Sequence, residues 1–191
     1  MRVLVACEFS GVVRDAFIAR GHDAMSCDLL PSERPGPHYE GDVYDLLYRD
    51  GEDWDMVIAH PPCTYLCNSG VRWLHEEHGR WQKMEEAADF FLMILNCGAS
   101  RLAVENPVMH GHALEIIGRR SDFCVQPYEH GHSDKKRTCF WTRGLPALKP
   151  TNVLPKPEHS ELHRLGYSKD RSRLRSITFT GIAEAMADQW G

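Results

Sequence analysis

Two alternating hydrophobic periods constrain this chain more than any other feature. Val3–Cys7 (VLVAC), Asp55–Ala59 (DMVIA) and Leu102–Asn106 (LAVEN) are short, nearly unbroken apolar runs, as expected of strands buried on both faces. Between them lie stretches with helical spacing. Gly11–Arg20 carries Val12, Val13, Ala16, Phe17 and Ala19 on one side, and Gly21 closes it. Trp81–Cys97 carries Met84, Ala87, Ala88, Phe91, Leu92 and Leu95, and ends at Gly98. Strand, helix and strand in succession specify the α/β class: a mainly parallel sheet with crossover helices on both faces.

The remaining segments fit that plan. His22–Asp28 reads as a second strand ending in an acid, followed by a loop with Pro31, Pro35, Gly36 and Pro37. Gly41-Asp42 precedes a short helical piece, Val43–Tyr48. Phe123–Pro127 and Thr138–Thr142, joined by a polar loop, are expected to pair antiparallel, and Pro107 should break the LAVEN strand. Gly144–Arg175 is rich in Pro, His and charge without a strong period, so it reads as an extended surface segment; Ile177–Trp190 closes the chain as an amphipathic helix. At 191 residues the reading is a single domain over residues 1–191.

Composition narrows the function classes. No apolar run is long enough to span a bilayer, and the amino-terminal MRVLVACEFSG lacks a signal-peptide pattern, so a cytoplasmic protein with no membrane partner is expected. Seven cysteines at irregular spacing suit free thiols in a reducing compartment. A net charge of −5 argues against a surface that grips nucleic acid all round. Yet eleven Lys and Arg lie between Lys135 and Arg175, so the last third offers either a local basic face or an ordinary solvated one.

Chemistry-bearing residues gather at strand ends. Phe9-Ser10-Gly11 follows the first strand, Asp28 ends the second, His60-Pro61-Pro62-Cys63 leaves the third, and Glu105-Asn106 ends the next. Parallel strands place these ends on one edge, where open α/β sheets bind ligands. Two prolines stiffen the loop that carries Cys63, which suits a positioned nucleophile; the alternative is a small buried hydrophobe. EFSGVV has one glycine and lacks GxGxxG, which disfavours a pyrophosphate-containing cofactor.

A metal centre is a rival reading, from His60, Cys63, Cys67, His75 and His78, but the spacing is loose and no CxxC pair occurs, so no metal is expected. His110, His112, His130 and His132 read as solvated loop residues, with His132 near Lys135. Trp73 and Trp81 either stack on a base or pack a lid.

These residues resemble, in type and order, DNA (cytosine-5) methyltransferases, above all in Pro61-Pro62-Cys63 and Glu105-Asn106. Ser133-Asp134-Lys135-Lys136-Arg137 looks like a degraded Gln-x-Arg-x-Arg element of that family, with Lys135 and Arg137 at its basic positions. Arg175–Phe179 is similar in place to its final cofactor-contacting element. The resemblance implies a Rossmann-like fold that binds S-adenosylmethionine through Phe9, Ser10, Gly11, Asp28, Asp42, Pro61 and Thr178. It implies that Cys63 attacks C6 of a cytosine in DNA, Glu105 holds N3 and the exocyclic amine, and Asn106, Lys135 and Arg137 orient the base and its phosphates. Base flipping or a single-stranded substrate follows from attack on the ring face.

The pattern departs from the family at Thr64, where Gln is usual, and at Pro107, where Val is usual. About forty irregular residues stand where the family has a target-recognition domain, too few for a separate core. The implied match is therefore a small phage-type enzyme acting on DNA that is loosely recognised, single-stranded or presented by a partner. Non-catalytic nucleotide or nucleic-acid binding, another pyrimidine substrate and amino-group methylation remain as alternatives.

Overall fold

Seven strands form one sheet in the order β3-β2-β1-β4-β5-β7-β6. They are β1 (Arg2–Ala6), β2 (Asp23–Asp28), β3 (His38–Glu40), β4 (Met56–Ala59), β5 (Arg101–Pro107), β6 (Phe123–Val125) and β7 (Thr138–Arg143). The computed structural model describes residues 1–49, 53–161 and 171–191; Arg164 and Lys169 of the basic segment lie outside the described residues.

Parity along the strands divides the core. Leu4, Ala6, Val57, Ala59, Leu102 and Val104 face α3 (Arg80–Leu95) and α4 (Gly111–Ile117), packing with Met84, Phe91, Ile94 and Ile117. Val3, Val5, Met56, Ile58 and Ala103 face the other way, against Phe17 of α1 (Val12–Ile18) and Ile182, Met186 and Trp190 of the last helix, Thr180–Trp190. This two-sided burial explains why the strands read as continuous apolar runs. Phe91 is fully buried with its ring 5.1 Å from that of Trp141, so truncating it to Ala should cost about 3–5 kcal/mol.

The sheet is mixed rather than mainly parallel. Strands β1 to β5 pair in parallel through four pairings, whereas β7 runs antiparallel to both β5 and β6. The connection from β6 to β7 contains only a three-residue 3₁₀ turn, Pro127–Glu129, and so returns the chain beside itself instead of crossing over. The expected antiparallel β6–β7 pair is present.

Other differences have local causes. His38–Glu40, inside the Pro-rich loop, forms a three-residue edge strand too short to show a period. Pro107 ends β5 opposite Thr138, as expected to within one residue. Residues 111–117 form α4 where a loop was expected, because His110 caps it: Nδ1 accepts from the Ala113 N–H at 3.1 Å. Two short helices, α2 (Trp73–Glu76) and α5 (Arg171–Ser176), precede α3 and the final helix, α6 (Thr180–Trp190). Among the described residues no helix is long and apolar enough to cross a membrane.

Candidate active site

The turn after β1 is built around a carboxylate that sequence reasoning passed over. Glu8 is buried and accepts from the backbone N–H of Val13 at 2.7 Å and of Arg14 at 3.2 Å. Ser10 donates its hydroxyl to Glu8 and accepts from the Val12 N–H. Together they satisfy the first N–H groups of α1, whose cap residue, Gly11, has no side chain to do so. Ser10 therefore helps satisfy the helix end.

Gly11, at φ +71°, leaves room for the fully buried Arg14 guanidinium, on which a Cβ would collide at 2.5 Å. Arg14 in turn binds Ser26 and Ser32 and the carbonyls of Arg34 and Pro35, fixing the loop after β2.

Asp28 and Asp42 lie at the same sheet edge. Each gives one carboxylate oxygen to the backbone N–H two residues on, Leu30 and Tyr44. Burial pushes the Cys7 thiol up, and the charges of Asp28 and Asp42 add to that, which places both acids around it. Leu29 and Leu30 stand beside them 74% and 55% exposed, an unusual apolar outcrop. The Phe9 carbonyl accepts from the Glu33 N–H at 2.8 Å.

The Cys63 loop is sewn to the continuation of β5. The His60 N–H donates to the Ala6 carbonyl, Asn68 N–H to Val108, and His110 N–H to Leu66, while Cys67 bridges to Met109. Asn106 Nδ2 donates to the Pro61 carbonyl at 3.0 Å, and His110 Nε2 to the Tyr65 carbonyl at 2.9 Å. Asn106 thus holds the loop, and His110 is buried rather than solvated. His130 is also buried, at 2% exposure, contrary to expectation. His132 accepts from the Gly181 N–H at the start of α6.

Two thiols share this loop. The Cys63 carbonyl accepts from the Leu66 and Cys67 N–H groups, closing one turn. The Cys63 S–H donates to Cys67, and that contact, with burial and the Cys67 and Glu105 charges, drives the Cys63 thiol up. The hydrogen bond from Cys63 pulls Cys67 below the ordinary thiol range; Ser69, whose hydroxyl lies 3.0 Å away, assists.

Glu105 is the electrostatic centre. His60 Nδ1–H donates to Glu105 Oε2 at 3.2 Å, with the two side chains 7% and 14% exposed. Burial alone would raise the Glu105 carboxyl, but the His60 hydrogen bond and the Lys136 charge outweigh it and hold the group below the usual carboxylate range. Glu105 Oε1, His60 Nε2 and Asn106 Oδ1 are buried with no partner. His60, Glu105, Lys136, Thr138, Thr178 and Phe179 line one cavity, floored by Ile182 and Met186 on α6. Its open volume, about 10 Å³, holds roughly one water.

The basic residues fall differently from expectation. Lys136, not Lys135 or Arg137, faces Glu105, and its Nζ donates to the Arg175 carbonyl at 2.7 Å. Lys135 donates to the Glu158 carbonyl, and Arg137 meets Cys124 on the opposite face. Arg143 closes the end of α3, donating to the carbonyls of Cys97 and Ala99. Arg173 pairs with Glu33, so α5 joins the entrance of β7 to the loop after β2. Trp73 lies under Arg72, and Trp81 is 39% exposed, edge-on to His112. Among the described residues no three His, Cys, Asp or Glu side chains gather to hold a metal.

A larger groove, about 420 Å³, opens on the other side of Pro62, lined by Tyr65, Lys83, Glu86, Ala87 and Phe90. No protein-family model matches the chain, and no curated protein matches it. Among solved structures it is similar to a protein assigned as a DNA modification methyltransferase encoded within an E. coli prophage, with 13% identity and a TM-score of 0.51 over 82% of this chain. The two share a fold. This chain covers 53% of that protein, about half its length. An Entamoeba histolytica methyltransferase, EhMeth, aligns with 13% identity and a TM-score of 0.42 over 86% of this chain and 59% of its own. An E. coli rRNA methylase aligns with 14% identity and a TM-score of 0.38 over 74% and 55%.

Proposed function

We propose that the protein is an S-adenosylmethionine-dependent methyltransferase that modifies C5 of cytosine in DNA through a covalent adduct at Cys63. The observation that carries this reading is the cluster of unpartnered buried atoms around Glu105. An ionised Glu105 whose Oε1 lacks a donor suits the exocyclic amine of cytosine, and His60 and Lys136 fix and balance its charge. Cys63 lies within electrostatic reach of both Glu105 and Lys136, on the neighbouring loop. A pyrimidine is larger than the cavity as it stands, so Thr178, Phe179 and the start of α6 must yield to admit one.

The residues at the β1–β2–β3 edge fit the cofactor. Asp28 and Asp42 present acceptors for ribose hydroxyls and an amine, and the exposed Leu29 and Leu30 offer apolar cover to a flat ring. When bound, the cofactor supplies an electrophilic methyl group. The groove beside Pro62, lined by Tyr65 and Phe90, is of a size to take a purine.

For its part, Cys63 must lose its proton before it adds to C6, and Cys67 is the adjacent acceptor. Addition pushes negative charge toward N3, which the Lys136 ammonium in the same cavity offsets, while the Glu105 carboxylate accepts from the exocyclic amine and orients the ring. One observation favours a second reading: a thiol held protonated is a poor nucleophile, and methyl transfer to an exocyclic amine requires none.

DNA containing 5-fluorocytosine, incubated with protein and cofactor, separates the two. The C5 reading expects a methylated adduct mapped by mass spectrometry to Cys63, lost in Cys63→Ser. Methylation of the exocyclic amine, or an adduct at another cysteine, refutes it.

A further inference from the structure

Cys124 and Cys139 face each other across β6 and β7, in register, with Sγ atoms 2.9 Å apart. Directly opposed residues of an antiparallel pair have Cα atoms about 4.5–5.5 Å apart, within the span of about 4.4–6.8 Å that a disulfide bridges. The Arg137 guanidinium lies close to Cys124, and Cys124 is the more accessible of the two, half-buried against 4% exposure for Cys139. The methyltransferase reading makes no use of this pair.

We propose that Cys124 and Cys139 are an oxidation site that forms a reversible disulfide with a low-molecular-weight disulfide such as oxidised glutathione. Cys124, the more accessible thiol, loses its proton and attacks one glutathione sulfur, releasing the other as a thiolate. Cys139 then attacks the Cys124 sulfur in the mixed disulfide and expels the second glutathione thiolate. Two protons leave the protein thiols and end on the two glutathiones, and two electrons pass from the pair to the oxidant.

The bond would join the two ends of the connection 126–137. That connection brings Lys136 to Glu105 and His132 to the Gly181 N–H of α6. Oxidation therefore clamps the segment that completes the cavity, whatever reaction the cavity performs.

The test is incubation of the purified chain in glutathione buffers of rising oxidised fraction, followed by acid quench, alkylation and peptide mass mapping. The expected result is one intramolecular link between the Cys124 and Cys139 peptides, reversed by dithiothreitol. The oxidised chain should melt about 5 °C or more above the reduced one, since the link closes a loop in the unfolded state. A Cys124→Ala chain should show neither the link nor the rise. Both thiols remaining alkylated while other cysteines oxidise, or a link between chains only, overturns the proposal. Because the map reads thiols and not methyl transfer, its outcome is independent of the C5 adduct experiment.

Discussion

Replacing Glu8 by Gln should destabilise the protein by about 2–5 kcal/mol, although the side chains are almost the same size. Glu8 accepts three hydrogen bonds, with Oε1 serving the Val13 N–H and the Ser10 hydroxyl and Oε2 serving the Arg14 N–H. A glutamine keeps one oxygen for the first two donors but turns an NH₂ toward the Arg14 N–H. The buried N–H then loses its acceptor, at about 1–3 kcal/mol. The two retained bonds fall from charge-assisted to neutral strength, and a negative charge is removed from the start of α1, for a further ~1–2 kcal/mol. Urea unfolding of both chains, with equal m-values required, measures the difference. A loss below about 1 kcal/mol would show that the carboxylate is not what satisfies this helix end, and the account of the β1–α1 turn fails.

Two other substitutions address the cavity and the thiols. Lys136→Met should raise the Glu105 carboxyl, because it removes one of the two influences holding that group down, so the acid limb of activity moves to higher pH; Lys135→Met should leave the limb in place. The sign follows directly: activity that needs the ionised carboxyl is lost as pH falls through its pKa in the folded protein, and removing the Lys136 charge raises that pKa. An unshifted limb in Lys136→Met separates Lys136 from Glu105. Cys67→Ser should lower the pH midpoint of iodoacetamide alkylation at Cys63, since it removes the anion to which the Cys63 proton is donated. A midpoint that stays put refutes the thiol pairing.

The strand ends were legible because β1, β4 and β5, nearly continuous apolar runs buried on both faces, leave little ambiguity about where polarity returns. Asp28 ends β2, Cys63 lies in the loop just beyond β4, and Glu105 stands two residues inside the end of β5, so the parallel strands carry all three toward one edge. What escaped detection was held by contacts remote in sequence or too short for a period. β3 has three residues and is tied to β2 partly through the His38 ring and the Ser26 hydroxyl, 2.8 Å apart. His110 looked like a loop histidine until the Tyr65 carbonyl and the Ala113 N–H accounted for both ring nitrogens. Glu8 left a trace that could have been read: α1 begins after a glycine, which has no side chain to cap with, and Glu8 is the nearest acid upstream.

The choice among Lys135, Lys136 and Arg137 was also decidable from side-chain alternation, and a family-like spacing obscured it. Phe140 packs on the α6 side with Ile182 and Met186, whereas Cys139 and Trp141 pack on the α3 side. An extended backbone repeats every two residues, so Lys136 and Thr138 share the face of Phe140 while Arg137 shares that of Cys139. The same count places Glu105 with Ala103, and His60 with Ile58, on the α6 side. Parity alone therefore collects His60, Glu105, Lys136 and Thr138 into one cavity and sends Arg137, Cys139 and Cys124 to the opposite face. One strand thus carries two independent sites, a charge cluster toward α6 and a dithiol toward α3. A one-residue slip in β7 would exchange them and bury Arg137 against Glu105, so the register set by the Glu105–Phe140 and Cys124–Cys139 pairs determines which chemistry each face can perform.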